Sequence, residues 1–223
     1  MSVNRIKSKL PASEPAEIIR EYGPFDDVAQ INGVSYDGEA VWFAAGDKLH
    51  ALDPTTGTRV KVLEVQGKAG TAYDGTHLYQ LTNGRIAKID PSTGRVVSTL
   101  QAPIQGDDAG LTWAEGTLWM AQHKARTITQ IDPATGEVLK TLHSDRFVTG
   151  VTFAEGELWH ATMDGDSSEL REIDTTTSEV RRRVSLPEGV TVSGLESNGR
   201  DLFYCGGGNS GRLRTLRKPK RHH

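Results

Sequence analysis

Two histidines, His123 and His160, and three acids, Asp107, Asp108 and Asp164, are the residues of this chain best suited to hold a metal. Two imidazoles and a carboxylate form a donor set for a divalent ion. No HExxH-type spacing places them on one element, so separate segments would have to bring them together. His160 follows Trp159 inside an apolar pattern, where a satisfied core histidine is the alternative. Cys205 offers either a reactive thiol or an inert buried one at a strand end. Residues 206–211, GGGNSG, read as a long flexible loop. They lack the Lys-Ser/Thr of a phosphate cradle. Asp164-Gly165-Asp166 opens like a calcium loop, but the remaining ligand spacing is absent. Asn32, Gln80, Asn83, Gln122, Arg146 and Met163 complete the candidate ligand-binding set.

These residues sit at the breaks in an internal repeat. Its units open on Gly33 (GVSYDG), Gly70 (GTAYDG), Gly110 (GLTWAEG), Gly150 (GVTFAEG) and Gly194 (GLESNG), at spacings of 37, 40, 40 and 44 residues. A second apolar segment follows in each: AVWFAA, HLYQLT, TLWMAQ, ELWHAT and DLFYCG. A third ends in LDPTTG, IDPSTG, IDPATG or IDTTTS, and a fourth follows it. In Asp-Pro-x-Thr-Gly the Asp accepts from backbone amides ahead of it, Pro fixes φ, and Gly closes the turn at φ > 0. Four strands per roughly 40 residues is the period of a propeller blade. The last unit lacks a fourth strand, and residues 16–22 lie where one is needed. The expectation is an all-β, five-bladed β-propeller of four antiparallel strands per blade, closed by an N-terminal strand completing the last blade.

The domain plan is a flexible N-terminal arm over residues 1–14, one propeller over 15–217 and a basic disordered tail over 218–223. Trp42, Tyr79, Trp119, Trp159 and Phe203 share one repeat position and are expected to fill the wedges between blades. Arg181-Arg182-Arg183 reads as charge protecting an outer edge. The loops from strand four to the next strand one, and from strand two to strand three, open on one face. The candidate set should therefore gather at the mouth of the central channel.

Composition narrows the partners. A net charge of −3 gives no field for nucleic acid or an anionic membrane. No apolar run approaches ~18 residues, so no membrane-spanning helix is expected. A single cysteine permits no intramolecular disulfide, and no secretory leader is evident. A cytoplasmic monomer is the expectation.

Three passages carry a family resemblance: HLYQLTNGRIAKIDPSTGRVV, GLTWAEGTLWMAQHKARTITQIDPATGEV and VSGLESNGRDLFYCGG. Over about residues 16–216 the chain resembles the glutaminyl-peptide cyclotransferase-like five-bladed propellers, and its repeats are similar to those of the longer streptogramin lyases. The cyclotransferase resemblance implies a mouth carboxylate that moves a proton, surrounded by tryptophans, an asparagine and a lysine. At the matching positions this sequence has Ala69 for the Glu, Asn32 for a Gln, Asn83, Ala109 and Met163 for tryptophans, and Thr149 for the Asn. The Lys falls within residues 206–208, and Gln80 is retained. Ala69 cannot act as the acid or base. The expected function is a non-catalytic or weakly catalytic propeller binding a small molecule or peptide at the mouth. The alternatives are a metal-assisted lyase or hydrolase using His123 and His160, and a divergent cyclotransferase.

Overall fold

The computed structural model describes residues 10–220. Its 21 strands run in chain order from β1 (Ser13–Pro15) and β2 (Ile18–Tyr22) to β21 (Leu213–Arg217). Blade one comprises β3 (Val34–Tyr36), β4 (Val41–Ala45), β5 (Lys48–Leu52) and β6 (Arg59–Leu63). Blade two comprises β7 (Thr71–Tyr73), β8 (Leu78–Thr82), β9 (Arg85–Ile89) and β10 (Val96–Gln101). Blade three comprises β11 (Asp108–Ala114), β12 (Thr117–Gln122), β13 (Thr127–Ile131) and β14 (Val138–His143). Blade four comprises β15 (Phe147–Ala154), β16 (Glu157–Asp164), β17 (Ser167–Ile173) and β18 (Val180–Ser185). Blade five holds β19 (Gly194–Ser197), β20 (Leu202–Gly206) and β21, and takes β2 as its outer strand, antiparallel to β21. The ring closes by the N-terminal strand, as the repeat count requires.

The hairpins form by the expected chemistry. Asp53 Oδ1 accepts from Thr55 N at 2.7 Å, and Gly57 turns at φ +78°. Asp90, Asp132 and Asp174 make the same turn. Ser178 takes the glycine's place in the last at φ +62°. The equivalent aromatics are buried between blades, with Trp42 and Tyr79 at 3% exposure and Trp159 and Phe203 at 0%.

The opening glycines are the ring's hub. A Cβ on Gly110 would stand 2.6 Å from Gly150 Cα, and one on Gly150 would stand 2.7 Å from Leu195 N. On Gly33, Gly70 or Gly194 it would strike Ala69 O, Leu111 N or Asn32 O. Each innermost strand thus meets the next backbone to backbone, which only glycine permits.

Four expectations need correction. Ser13 and Glu14, assigned to the arm, pair in parallel with Arg183 and Val184, so β1 adds a fifth strand to blade four. Arg181–Arg183 therefore do not guard a bare edge; their guanidinium groups are spent on Asp174, Glu172, Glu157 and Glu169. Lys218, assigned to the disordered tail, is buried, its Nζ 2.8 Å from Glu157 and 2.9 Å from Glu155. Residues 206–208 are no flexible loop: all three are buried, and Gly208 bridges to Ile31. Residues 1–9 of the arm and 221–223 of the tail lie outside the described residues.

Candidate functional site

The two loop sets do share one face, and hydrogen bonds knit them together. Gly67 N donates to Gly46 O, Ala102 N to Gly84 O, and Ser144 N to Arg126 O. Much of the candidate set is used in this knitting. Asp107 accepts from Lys124 N and Ala125 N, both at 2.7 Å. Asp108 Oδ2 accepts from Gly84 N at 2.8 Å. Gln122 is buried, its Oε1 holding the hydroxyls of Thr127 and Thr129. Arg146 pairs with Asp164 at 3.7 Å and Glu169 at 3.5 Å. Asn83 is the exposed turn residue at φ +52°, and Met163 is half-buried beside exposed Asp164.

The metal set does not assemble. His123 Nδ1 lies 3.2 Å from Val148 O, and its ring stacks on Phe147. His160 is fully buried, with Nε2 3.4 Å from Ser144 Oγ. Burial, then the Arg171 charge, pushes its pKa down to about 3, so it stays neutral. Among the described residues no three His, Cys, Asp or Glu side chains converge on one ion. Cys205 is the inert thiol of the two readings: it is 1% exposed, and burial lifts its pKa to about 12.

Two features remain for chemistry. The first lies beyond the glycine hub. Two positions after each opening glycine stand Ser35, Ala72, Thr112, Thr152 and Glu196. Glu196 reaches from blade five to Thr152 Oγ1 of blade four and to Thr112 Oγ1 of blade three, the latter at 3.3 Å. Its Oε1 also accepts from Ser197 N at 2.8 Å. Burial raises its pKa to about 7, against the pull of these three donors. Ser35 Oγ, fully buried at the same level, has no partner. Glu196 was absent from the candidate set. The signal for it was an acid at a position where the other four units carry only Ser, Ala or Thr.

The second feature is a depression of about 560 Å³ at the mouth, against blade one. Asn32, Asp27 and Gln30 line it from the loop entering β3, Gly46 and Asp47 from the β4–β5 turn, and Lys68 from the loop leaving β6. Arg59 grips Asp27 at 2.7 and 2.8 Å and holds its carboxyl below the usual range. Asp47 and Lys68 are exposed and make no ion pair among the described residues. The wall thus offers one anion and one cation without an ion-pair partner among the described residues, together with the Asn32 and Gln30 amides. Asn32 is the candidate residue that lines this depression.

The profile of the family described as outer membrane protein assembly factor BamB matches residues 45–204. The chain belongs to that family. No curated protein matches this BamB-family chain. Among solved structures, the glutaminyl cyclase of Myxococcus xanthus is similar at TM-score 0.74 and 18% identity, over 93% of this chain and 97% of that one. The Cps50 (Swd1) β-propeller domain of Myceliophteria thermophila is similar at TM-score 0.59 and 11% identity, over 92% and 100%. Both likenesses are of fold.

In this BamB-family propeller two of the positions that the cyclotransferase resemblance assigns to proton transfer and substrate stacking give their carbonyls to the ring's hydrogen bonding. Ala69 O accepts from Gln80 Nε2, and Ala109 O accepts from Gly70 N. Thr149 is buried with its hydroxyl unpartnered. None of the three side chains can exchange a proton with an amine at neutral pH.

Proposed function

We infer that the protein is a binding propeller without turnover, taking a small zwitterion or the charged end of a peptide at the mouth depression. The observation that carries this is that Asp47 and Lys68, neither ion-paired among the described residues, line the same hollow. Such a wall complements a ligand bearing an ammonium and a carboxylate, with Asn32 and Gln30 supplying orientation. The methyl group of Ala69 where the resemblance calls for a carboxylate supports binding rather than catalysis. So does a family described as an assembly factor. Calorimetric titration with free amino acids and short peptides tests the reading. Binding that weakens about tenfold in both Asp47→Asn and Lys68→Gln supports it. Undiminished binding in both variants refutes it.

A second reading has one observation in its favour. Glu196 has a pKa near 7, the poise of a general base. Incubation with a Gln-initiated peptide would then release ammonia, seen by mass, and Glu196→Gln would abolish it. Absence of any mass loss ends this reading.

A further inference from the structure

Blades one and two leave a cavity of about 570 Å³ between residues 64–66 and one face of blade two. Gln80 lines it and is 1% exposed. Its Nε2 donates to Ala69 O at 3.2 Å and Leu81 O at 2.8 Å. Two carbonyl acceptors fix which end of the amide is nitrogen, so Oε1 is the end left over. It is buried and has no partner. Thr71, directly opposite Gln80 in the strand register, also has a buried, unpartnered hydroxyl. Buried acceptors without donors are rare in native proteins and costly to leave unmet. Blades one and three avoid the problem at this repeat position with Phe43 and Met120.

The rest of the wall defines what would meet that acceptor. Arg85 lines the cavity, is exposed, and makes no ion pair among the described residues, whereas Glu64, the acid on the same wall, is paired with Lys48 at 3.3 Å. Val65, Ala87 and Val96 add an apolar side, with Val96 48% exposed. An acceptor, a cation and an apolar wall call for a donor, an anion and an apolar group on one small ligand. An inorganic anion would satisfy Arg85 alone. A hydrocarbon would leave Gln80 as it is.

We propose that this slot binds a carboxylate flanked by an amide N–H, the chemistry shared by an N-acyl amino acid and the C-terminal end of a peptide. The carboxylate pairs with Arg85, the side chain lies against Val65 and Val96, and the N–H donates to Gln80 Oε1 once the Gln80 side chain turns that buried atom into the slot. No residue lining this slot lines the mouth depression, so the two sites stand or fall separately.

The test follows the Gln80 side-chain amide by NMR on labelled protein. It is titrated with N-acetyl-L-leucine, with a leucine-terminated pentapeptide, and with the same peptide amidated at its C-terminus. The expected result is a saturable shift below about 10 mM. Amidation of the peptide and Arg85→Gln should each weaken binding about tenfold or more. Gln80→Met, which copies Met120 of blade three and is followed instead through the backbone amides of Arg85 and Val96, should weaken it while the melting temperature is kept. Arg85 is exposed, so its variant folds whether or not Gln80→Met does. Binding of the peptide without the acyl amino acid would support the proposal and name a peptide end as the source. No shift with either, equal binding of the amidated peptide, unchanged affinity in Arg85→Gln, or shifts confined to Asn32, Asp47 and Lys68 would each overturn it.

Discussion

Glu196 of blade five stands 3.3 Å from the hydroxyl of Thr112, two blades away, while its other oxygen holds Thr152 of the blade between. A single side chain therefore ties together three of the five innermost strands. It does so as a carboxyl whose pKa is near 7 rather than its ordinary 4.5.

That shift sets a pH dependence. Between pH 4.5 and about 7 the folded protein keeps the Glu196 proton and the unfolded chain has lost it. Stability from this group therefore falls as pH rises through that window, by about 3 kcal/mol in all. Glu196→Gln keeps an acceptor and a donor but cannot ionise. The variant should be close to wild type at pH 5 and more stable at pH 8, read as midpoints of urea unfolding. A variant equally destabilised at both values would contradict this.

His160 acts in the opposite direction. Its folded pKa of about 3 lies below the unfolded 6.5, so stability is lost as pH falls below 6.5. At pH 5 the loss is about 2 kcal/mol. His160→Met, the residue type that blade three carries as Met120, should flatten the acid limb of the melting-temperature profile. It should leave the limb above pH 7 unchanged.

Lys218 locks blade five to blade four. It is 3% exposed and pairs with Glu157, whose side chain is 1% exposed and which also accepts from the Trp159 indole. Without Lys218, Glu157 keeps Arg182 at 2.7 Å and the Trp159 indole but loses one buried charge-assisted bond. Lys218→Ala should cost about 2 kcal/mol in denaturant unfolding. Lys220→Ala, at an exposed position two residues on, should cost less than about 0.5 kcal/mol.

The hub predicts the most severe change. Gly110→Ala places a methyl 2.6 Å from Gly150 Cα, where backbone meets backbone and no side chain can yield. Loss of soluble protein or a drop of at least about 3 kcal/mol is expected. Gly116→Ala, with nothing within 4 Å of its Cβ position, is strained only by its φ of +78° and should cost about 1 kcal/mol.

The fold was legible because its determinants recur. Glycine hub, buried aromatic and Asp-initiated turn each appear four or five times, so no single residue had to carry the reading. The site was less legible because its residues occur once. Asp107 and Asp108 look like free ligands in a row of letters. Their amide partners at positions 124, 125 and 84 are visible only when neighbouring loops are seen side by side. Asp47 and Lys68 lay in loops recognised as variable, but nothing local marks which loop charges stay unpaired. β1 escaped notice because three polar residues ending in Pro15 have no strand signature; its pairing with β18 comes from backbone. Gln80 was singled out as a retained motif residue, and it lines the slot between two blades.

The closure of blade five also sets the order in which the molecule can be made. Glu21 bonds Arg214 across 193 residues of sequence, and Tyr22 meets Thr215 across the same span. On a ribosome adding roughly 5–20 residues per second, β2 waits some tens of seconds for β21. Until then blades one to three can pair strand by strand through local hairpins. β2, however, stays an unpaired ribbon with Ile18 and Ile19 at large. Closure is the slow, long-range step of assembly, and a nascent chain stalled before residue 213 is a propeller held open at one seam.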